Sequence, residues 1–549
     1  RSKNIAIVGA GICGLCCGLA LAQQGHQVTL FERDDPMPEG DPDEVFFEWA
    51  RRGASQFRHP HAFLAVMSNL LIDQFPDLIE EFWRVGARKV SFEEMLPPSL
   101  QDNYTPSAED ARLWLMMCRR ATMEMVLRRY ALKQANLTIQ SGIRVNAMIT
   151  DTVDQQLQIN GLMIQPRQGQ QLPSAFYSDI VIDAAGRGSP FKSWFRALNL
   201  DIKTESHDAE IVYYTRHYKL KPSFQEPQRD PNVRSAGDLG YLKYGVFPGS
   251  NGHFAVILCV PCDDLILREA VKSDDTFDAI CLNIPGLVPW LGDNKAEATT
   301  ASFGMGNIKA VWNEFTGPQG PLLLNYFAVG DAAVRTNPLY GRGCSTGAIH
   351  SKVLSDVLLK YDDPKTAAYH FEKATREQLR PIWQASLDED RAGIKRADAI
   401  LNPDHPSQRQ TLKKRFSKAF GDALTRASQQ HIRVFRGAFI SMSDYPVMTM
   451  AARIALNHHE RWDGGGYPRG LKGNEIPIEA SITTLVDVYD ALRSVRPYKP
   501  AMTHEQAMRI ILEGDGRTHP DHFRPDVLKA FKTANQAMNA IFESMADPE

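Results

Sequence analysis

The sequence predicts an α/β protein: a parallel sheet, an antiparallel sheet inserted into it, and a helical segment behind both. Three observations carry that expectation. A short apolar strand runs into Gly9, Gly11 and Gly14; a second runs into Gly330 and Asp331 far downstream; and apolar and polar residues alternate in the stretch between them.

The first strand, Asn4 to Val8, is uncharged and β-branched, as suits a strand buried in a parallel sheet. The three glycines follow at G-x-G-x-x-G spacing. The first permits a tight turn, the second lets backbone approach a pyrophosphate, and the third lets the next helix pack closely on the strand. That helix would meet phosphate with its free N–H groups and positive dipole end. A second strand, HQVTLFER, ends in Glu32 and Arg33, where a carboxylate would accept the two ribose hydroxyls of an adenosine. The same basic-then-apolar start also has the make-up of a secretory leader, but the nucleotide unit explains more of its residues.

Bulk properties narrow the class. A chain of 549 residues exceeds what one core usually supports, so several domains are expected. With 43% apolar and 23% charged residues and a net charge of −3, the composition is that of a soluble globular protein. Lys and Arg form no long block, which argues against nucleic acid or an anionic membrane as partner. No apolar run beyond the glycine-rich start reaches the roughly 18–20 residues of a membrane span. The eight cysteines are sparse, and Cys13, Cys16 and Cys17 crowd one helical pattern, which reads as reduced packing residues and a cytoplasmic setting.

The downstream stretch PLLLNYFAVGDAAVRTNPLYGRGCSTGAIHSKVL decides which dinucleotide is expected. It resembles the second FAD signature of the para-hydroxybenzoate hydroxylase and geranylgeranyl reductase superfamily, with its GR2-type FAD-binding domain. The resemblance implies that Asp331 holds the ribityl chain, and that the turn around Pro338, Gly341 and Gly343, with a helix opening near Gly347, borders the flavin pyrimidine. A helix N-terminus there would stabilise the negative charge of reduced flavin. CRRATMEMVLRRYA resembles the family's R-x-x-(apolar)-E segment and places Arg120 at a helix start facing the cofactor. SGIRVNAMI would border the adenine at Val145. DIVIDAAGRGSPFKSWF lies where the family's hydroxylases carry an Asp-Gly motif, but Asp183 is followed by Ala-Ala-Gly186, so direct docking of the nicotinamide donor is weakened. RRGASQFRHPHAF resembles a loop of a poorly characterised subgroup, with Gln56, His59 and His61 near the cofactor as hydrogen-bonding residues. None of the eight tryptophans forms the W-x-W-x-I-P segment of flavin halogenases.

Between the signatures, HDAEIVYYTRHYKL and GYLKYGVFPGSNGHFAVILCVP alternate, and PGSNG supplies hairpin chemistry. In the resembled family such a sheet roofs the flavin. Tyr213, Tyr214, Tyr241 and Tyr244 would line a substrate pocket or simply pack the sheet. No acid, base or nucleophile stands out, so the catalytic residues stay unknown; a cofactor that carries the oxygen chemistry leaves the protein mainly positioning and water exclusion. From Gly347 onward the pattern is helical, through FEKATREQLRPIWQAS to KKRFSKAFGDALTRASQQHIRVF.

From about Pro446 the chain resembles the second half of an HD-GYP domain, the bacterial cyclic di-GMP phosphodiesterase module: HHERWDGGGYPRGLKGNEIP, then LVDVYDALRSVRPYKPAMTHEQA. The resemblance implies metal ligands at His458, His459 and Asp487, the naming motif at Gly466-Tyr467-Pro468, and phosphate-facing Arg496 and Lys499. The His-Asp dyad and further histidine of the family's first half are missing upstream; the one His-Asp pair, His207-Asp208, lies far away. Three ligands cannot fix a two-metal phosphodiester site, so the tail is expected to be vestigial or repurposed.

The expected organisation is an FAD-binding domain over 1–200, an antiparallel substrate domain over 201–320, the remainder of the FAD domain with covering helices over 321–445, and a partial HD-GYP-like helical domain over 446–549. The expected activity is an FAD-dependent, NAD(P)H-driven monooxygenase that moves one oxygen atom from O2 to an organic, aromatic-type substrate. A dehydrogenase or double-bond reductase with a separate donor is the first alternative, and a cyclic di-GMP protein acting through its tail the second. A homodimer is compatible with either.

Overall fold

The structure, a computed structural model, describes residues 2–402 and 457–544 apart from 103, 170, 229, 231, 232, 319, 468 and 495–499. The chain divides into two compact units, Arg1–Tyr445 and Pro446–Glu549. The segment KKRFSKAFGDALTRASQQHIRVF and the join at Pro446 lie outside the described residues.

The large unit is organised by a five-stranded parallel sheet, in the order Tyr326–Ala328, Ile180–Asp183, Asn4–Val8, Gln27–Glu32 and Leu137–Ser141. Parallel strands need both faces covered, which is why Ile5, Ala6, Ile7, Leu30, Val181 and Ile182 are all buried. Helices Ile12–Gln23 and Arg342–Lys360 pack against each other and supply part of that cover. The register aligns the carboxyl ends: Val8 sits opposite Asp183 and Phe31. The Gly9 turn, the Asp183 turn, Glu32 and the Gly330 turn therefore collect along one edge, where open α/β sheets bind ligands.

The alternating segments form the expected antiparallel sheet. Strands Lys243–Pro248, His253–Pro261 and Ile211–Leu220 pair in that order, and the turn joining the first two is made at Asn251 and Gly252, both at positive φ. Helices Leu265–Ala270, Asp274–Leu282 and Val288–Leu291 close one face over Tyr218, Phe254, Val256, Leu258, Phe277 and Trp290. A smaller sheet, Lys203–Asp208, Lys309–Glu314 and Val334–Arg335, lies at the boundary with the parallel core.

One boundary differs from expectation. The helix placed near Gly347 begins at Arg342, because Gly341 takes a left-handed conformation (φ 65°) that turns the chain straight into it. Helix Pro364–Leu401 follows, started by Asp363, whose carboxylate accepts the Thr366 N–H at 2.8 Å.

The small unit packs helices Ile478–Arg493, His504–Glu513 and Pro525–Ser544 around Leu485, Tyr489, Ala507, Ile511, Phe523 and Phe531. Among the described residues, no helix is long and apolar enough to cross a membrane.

Candidate functional site

A cavity opens at the carboxyl edge of the parallel sheet. Its wall includes Gly11, Cys13, Gly186, Gly330, Asp331, Pro338, Gly341 and Gly343. The glycines divide their work as the spacing implies. A Cβ at Gly9 would fall 2.4 Å from the Ala184 carbonyl oxygen and one at Gly14 would fall 2.0 Å from that of Gly9, so both serve close packing. A Cβ at Gly11 would meet nothing within 4 Å, so this glycine leaves its backbone open to the cavity.

Two helices aim their N-termini at the same space. Helix Ile12–Gln23 starts beyond Gly11 and helix Arg342–Lys360 beyond Gly341, and neither has a side-chain cap. The exposed N–H groups and dipoles of both ends therefore remain free for anionic groups. Asp331 lies between them, its carboxyl pushed up by burial and drawn back by Arg335, Arg120 and Arg187. The Gly330 N–H donates to His350 Nδ1 at 3.1 Å; His350 Nε2 therefore carries the proton and faces Thr375 Oγ1 at 3.0 Å. Arg120 opens helix Arg120–Leu132 as expected and pairs with Glu124 at 2.9 Å. His61 donates from Nδ1 to the His59 carbonyl at 2.8 Å and turns Nε2 to Arg120 at 3.3 Å; His61 and Gln56 both reach the cavity.

These features fit the flavin half of FAD. An open glycine cradle, two uncapped helix ends and a buried carboxylate are what a ribityl chain and a pyrimidinedione require. The adenosine half differs from expectation. Glu32, Arg33 and Val145 are not on the cavity wall. Glu32 Oε2 accepts the Ala10 N–H at 3.2 Å and pairs with Arg51 at 2.8 Å, while Oε1 accepts the Asp34 N–H at 3.0 Å. Arg51 also reaches Asp34 at 3.0 Å and Glu124 at 3.1 Å. A ribose diol on Glu32 therefore requires Arg51 to give way. Arg33 points outward with its side chain 53% exposed, and Val145 is tied into the strand pair with Ile164.

Asp183 is spent on its own turn. It accepts from Ser189 Oγ, the Ala185 N–H at 3.0 Å and Tyr326 OH at 3.1 Å, and burial lifts its carboxyl to about 6. The tyrosines also resolve toward packing. Tyr214 and Tyr244 join the sheet-helix core, Tyr213 is buried with its hydroxyl on Asn337, and Tyr241 lines a separate cleft beside Asp390. Strand alternation sends Tyr213 and Tyr214 to opposite faces, which a run of adjacent aromatics conceals.

In the small unit, Glu460 organises the motif loop. Buried to 1% exposure, it accepts the Arg469 N–H at 2.7 Å and the Leu471 N–H at 3.0 Å. Asn457 accepts Arg469 Nη2 at 2.8 Å. A Cβ at Gly466 would fall 2.3 Å from the Arg461 backbone nitrogen, so the first motif position admits only glycine. His459 stacks on Tyr467 at 4.8 Å and meets the His458 ring at 4.0 Å with the planes tilted by 40°, while Asp487 is exposed on its helix. Among the described residues, no three His, Cys, Asp or Glu side chains converge to hold a metal ion, so His458, His459 and Asp487 form no such group. The His459 ring is engaged by Tyr467, and Asp487 stands exposed on its helix. Pro468, Arg496 and Lys499 lie outside the described residues.

Comparison with known proteins finds different relatives for the two ends of the chain. Residues 4–41 match the family model of FAD dependent oxidoreductases and residues 425–522 that of the HD domain. CmlS, a flavin-dependent halogenase, superposes with a TM-score of 0.53 at 16% identity, covering 90% of this chain and 79% of that one. The flavin-dependent brominase Bmp2 gives 0.52 at 15% identity over 82% and 98% of the two chains. The OxyS anhydrotetracycline hydroxylase from Streptomyces rimosus gives 0.53 at 13% over 81% and 76%. The chain shares the fold of these enzymes. A probable cyclic di-GMP phosphodiesterase of Vibrio cholerae is 48% identical over 103 residues, 19% of this chain and 22% of that protein. A cyclic di-GMP phosphodiesterase of Thermotoga maritima is 39% identical over 122 residues, 22% of this chain and 32% of that protein. The chain thus spans less than a third of the length of these curated relatives.

Proposed function

We propose that this chain is an FAD-dependent oxidoreductase, and specifically an NAD(P)H-driven monooxygenase acting on a small organic substrate with O2. The observation that carries the reading is the convergence of two uncapped helix N-termini and the buried Asp331 on one cavity whose glycine wall lies open at Gly11. FAD, when bound, supplies acceptance of hydride from the nicotinamide donor and activation of oxygen. The residues that would hold it are Gly11 and the following helix at the pyrophosphate, Asp331 at the ribityl hydroxyls, and the Pro338–Gly343 turn at the pyrimidine edge.

The chain's own part is binding and exclusion. With FAD bound, the helix end at Arg342 would stabilise negative charge on the flavin pyrimidine. Arg120, held by Glu124, keeps a cation beside the cavity, and His61 stays neutral because burial and Arg120 hold its pKa down to about 3. The antiparallel sheet contributes Met305, and Asn307 and Ile308 follow it onto the cavity wall, where their bulk limits water. No side-chain acid or base is required for the oxygen step itself.

Anaerobic addition of NADH or NADPH to the purified protein, followed by admission of air, tests the reading. Bleaching of the flavin absorption and its return in air is the expected result. A flavin that stays oxidised with both donors favours the dehydrogenase or reductase alternative, and a protein that binds no flavin ends the proposal.

A second reading rests on the motif loop of the tail, where Glu460 accepts the Arg469 and Leu471 N–H groups and Gly466 packs against the Arg461 backbone. That loop supports binding of a cyclic dinucleotide without its hydrolysis. Metal-dependent turnover of cyclic di-GMP by the full chain would overturn the non-hydrolytic form of this reading.

A further inference from the structure

One wall of the cavity carries three cations, Arg187, Lys309 and Arg335, against a single carboxylate, Asp331. Lys309 opens strand Lys309–Glu314, and Arg335 ends the short strand paired with it, directly opposite Val311. The two are therefore diagonal neighbours on the same face of that sheet, about 7–8 Å apart along the backbone. Arg335 donates from Nε to the Lys309 carbonyl at 2.9 Å, which fixes the guanidinium by its inner nitrogen and leaves its fork toward the cavity wall. Arg187, on the turn that follows strand Ile180–Asp183, lines the same cavity.

Among the described residues, none of these three cations forms an ion pair, whereas Arg120 on the same wall is already held by Glu124. Asp331 is the one carboxylate on the described wall. Arg335 feels Arg187 as a like charge, and burial with that repulsion lowers its pKa against the pull of Asp331. Next to it, Thr336 is 4% exposed and its hydroxyl has no hydrogen-bond partner. Cations gathered in excess of the one carboxylate beside them repel one another, and a bound anion with two acceptor oxygens relieves that repulsion through charge-assisted hydrogen bonds.

We propose that Arg187, Lys309 and Arg335, with the Thr336 hydroxyl, seat the carboxylate of the organic substrate, so that the site takes small organic acids. This rests on the flavoprotein reading above. The dinucleotide's own phosphates have a separate place at the Gly11 end, where the glycine cradle and the uncapped helix of residues 12–23 await them. An arginine fork suits a planar carboxylate, and Lys309 adds a point charge beside it.

The test uses FAD-loaded full-length protein and three probes: benzoate, 2-aminobenzoate, and neutral benzamide, each titrated while the flavin absorption is followed. The acids are expected to perturb the spectrum and benzamide to bind at least tenfold more weakly. Arg335→Gln should weaken the acids roughly tenfold or more with the FAD dissociation constant unchanged. Arg187→Gln, at an exposed position that does not endanger folding, should weaken them in the same direction, and Arg335→Lys should restore part of the loss. Equal binding of benzamide and benzoate overturns the proposal. So does a variant that loses FAD while keeping acid affinity, which assigns the cations to the cofactor. A selective loss of reduction by NADPH relative to NADH, with acid binding intact, assigns them to the donor's phosphate and overturns it too. Failure of the wild-type protein to bind FAD is read separately by fluorescence titration before any acid is added, and ends the underlying flavoprotein reading.

Discussion

The two ends of the chain invert the usual relation between similarity and completeness. The large unit shares its fold with enzymes only 13–16% identical to it, yet its glycine cradle, two free helix ends and buried carboxylate meet in one cavity. The tail is 48% identical to a phosphodiesterase, yet brings no three metal-ligating side chains together among its described residues. A cofactor cradle made of backbone survives sequence change because glycine spacing and helix ends are its chemistry. A metal cluster needs every donor side chain in place, so part of it amounts to no site.

Acid should separate the two regions most strongly. Burial holds His59 and His217 at about 4, and holds His61 and His350 at about 3. The unfolded imidazole takes a proton below about 6.5, so the folded state binds fewer protons there. Stability is then full above 6.5 and is lost as pH falls toward 4, by about 2 kcal/mol per histidine at pH 5. Asp183 and Glu372, raised to about 6 and about 7, and Asp331 and Asp390, also raised by burial, work in the opposite direction and offset part of that loss. The thermal midpoint of the flavin unit should drop steadily from pH 7 to pH 4; a flat profile would break the contrast.

Next in size is Arg51→Met. It strips the shared partner from Glu32, Asp34 and Glu124, all of which are nearly or fully buried. Leaving such charges unmatched costs about 3–5 kcal/mol. A fall of that order in urea-unfolding free energy is expected, and a loss under about 1 kcal/mol would mean that the network is solvated.

Arg51 also marks what could be read in advance. The Gly9, Gly11, Gly14 unit, the Gly330-Asp331 turn, Arg120 at its helix start and the hairpin at Asn251 were legible, because local spacing alone encodes each of them. Arg51 stood in plain view within RRGASQFRHPHAF, but its acids come from a strand end, the loop after it and a distant helix. No local pattern joins them. Glu460 was hidden in the same way: an acid beside two histidines suggests a metal, whereas its oxygens are taken by backbone N–H groups further along the chain. For the tyrosines of the antiparallel sheet both readings stayed open, because alternation fixes which side chains share a face, not which face looks onto the cavity.

Gly14→Ala probes the cradle directly. Its methyl would sit 2.0 Å from the Gly9 carbonyl oxygen, which is backbone and cannot step aside cheaply. A cost of about 1–3 kcal/mol and loss of retained flavin are expected. Gly11→Ala, where a Cβ meets no protein atom within 4 Å, should leave stability unchanged while weakening FAD. Equal destabilisation by both would show that the open position is a packing position after all.

The smallest expected effect lies in the tail. His458→Ala, His459→Ala and Asp487→Ala, made together, should leave metal content measured by mass spectrometry below one ion per chain, as in the unaltered protein. The ring stack gives a reason to expect more from stability than from metal: removing His459 deletes its contact with Tyr467, about 0.5–1.5 kcal/mol. Stoichiometric metal in the unaltered chain that vanished in the triple variant would reverse the contrast between the two regions. The tail would then be a site whose missing donors come from outside the described residues.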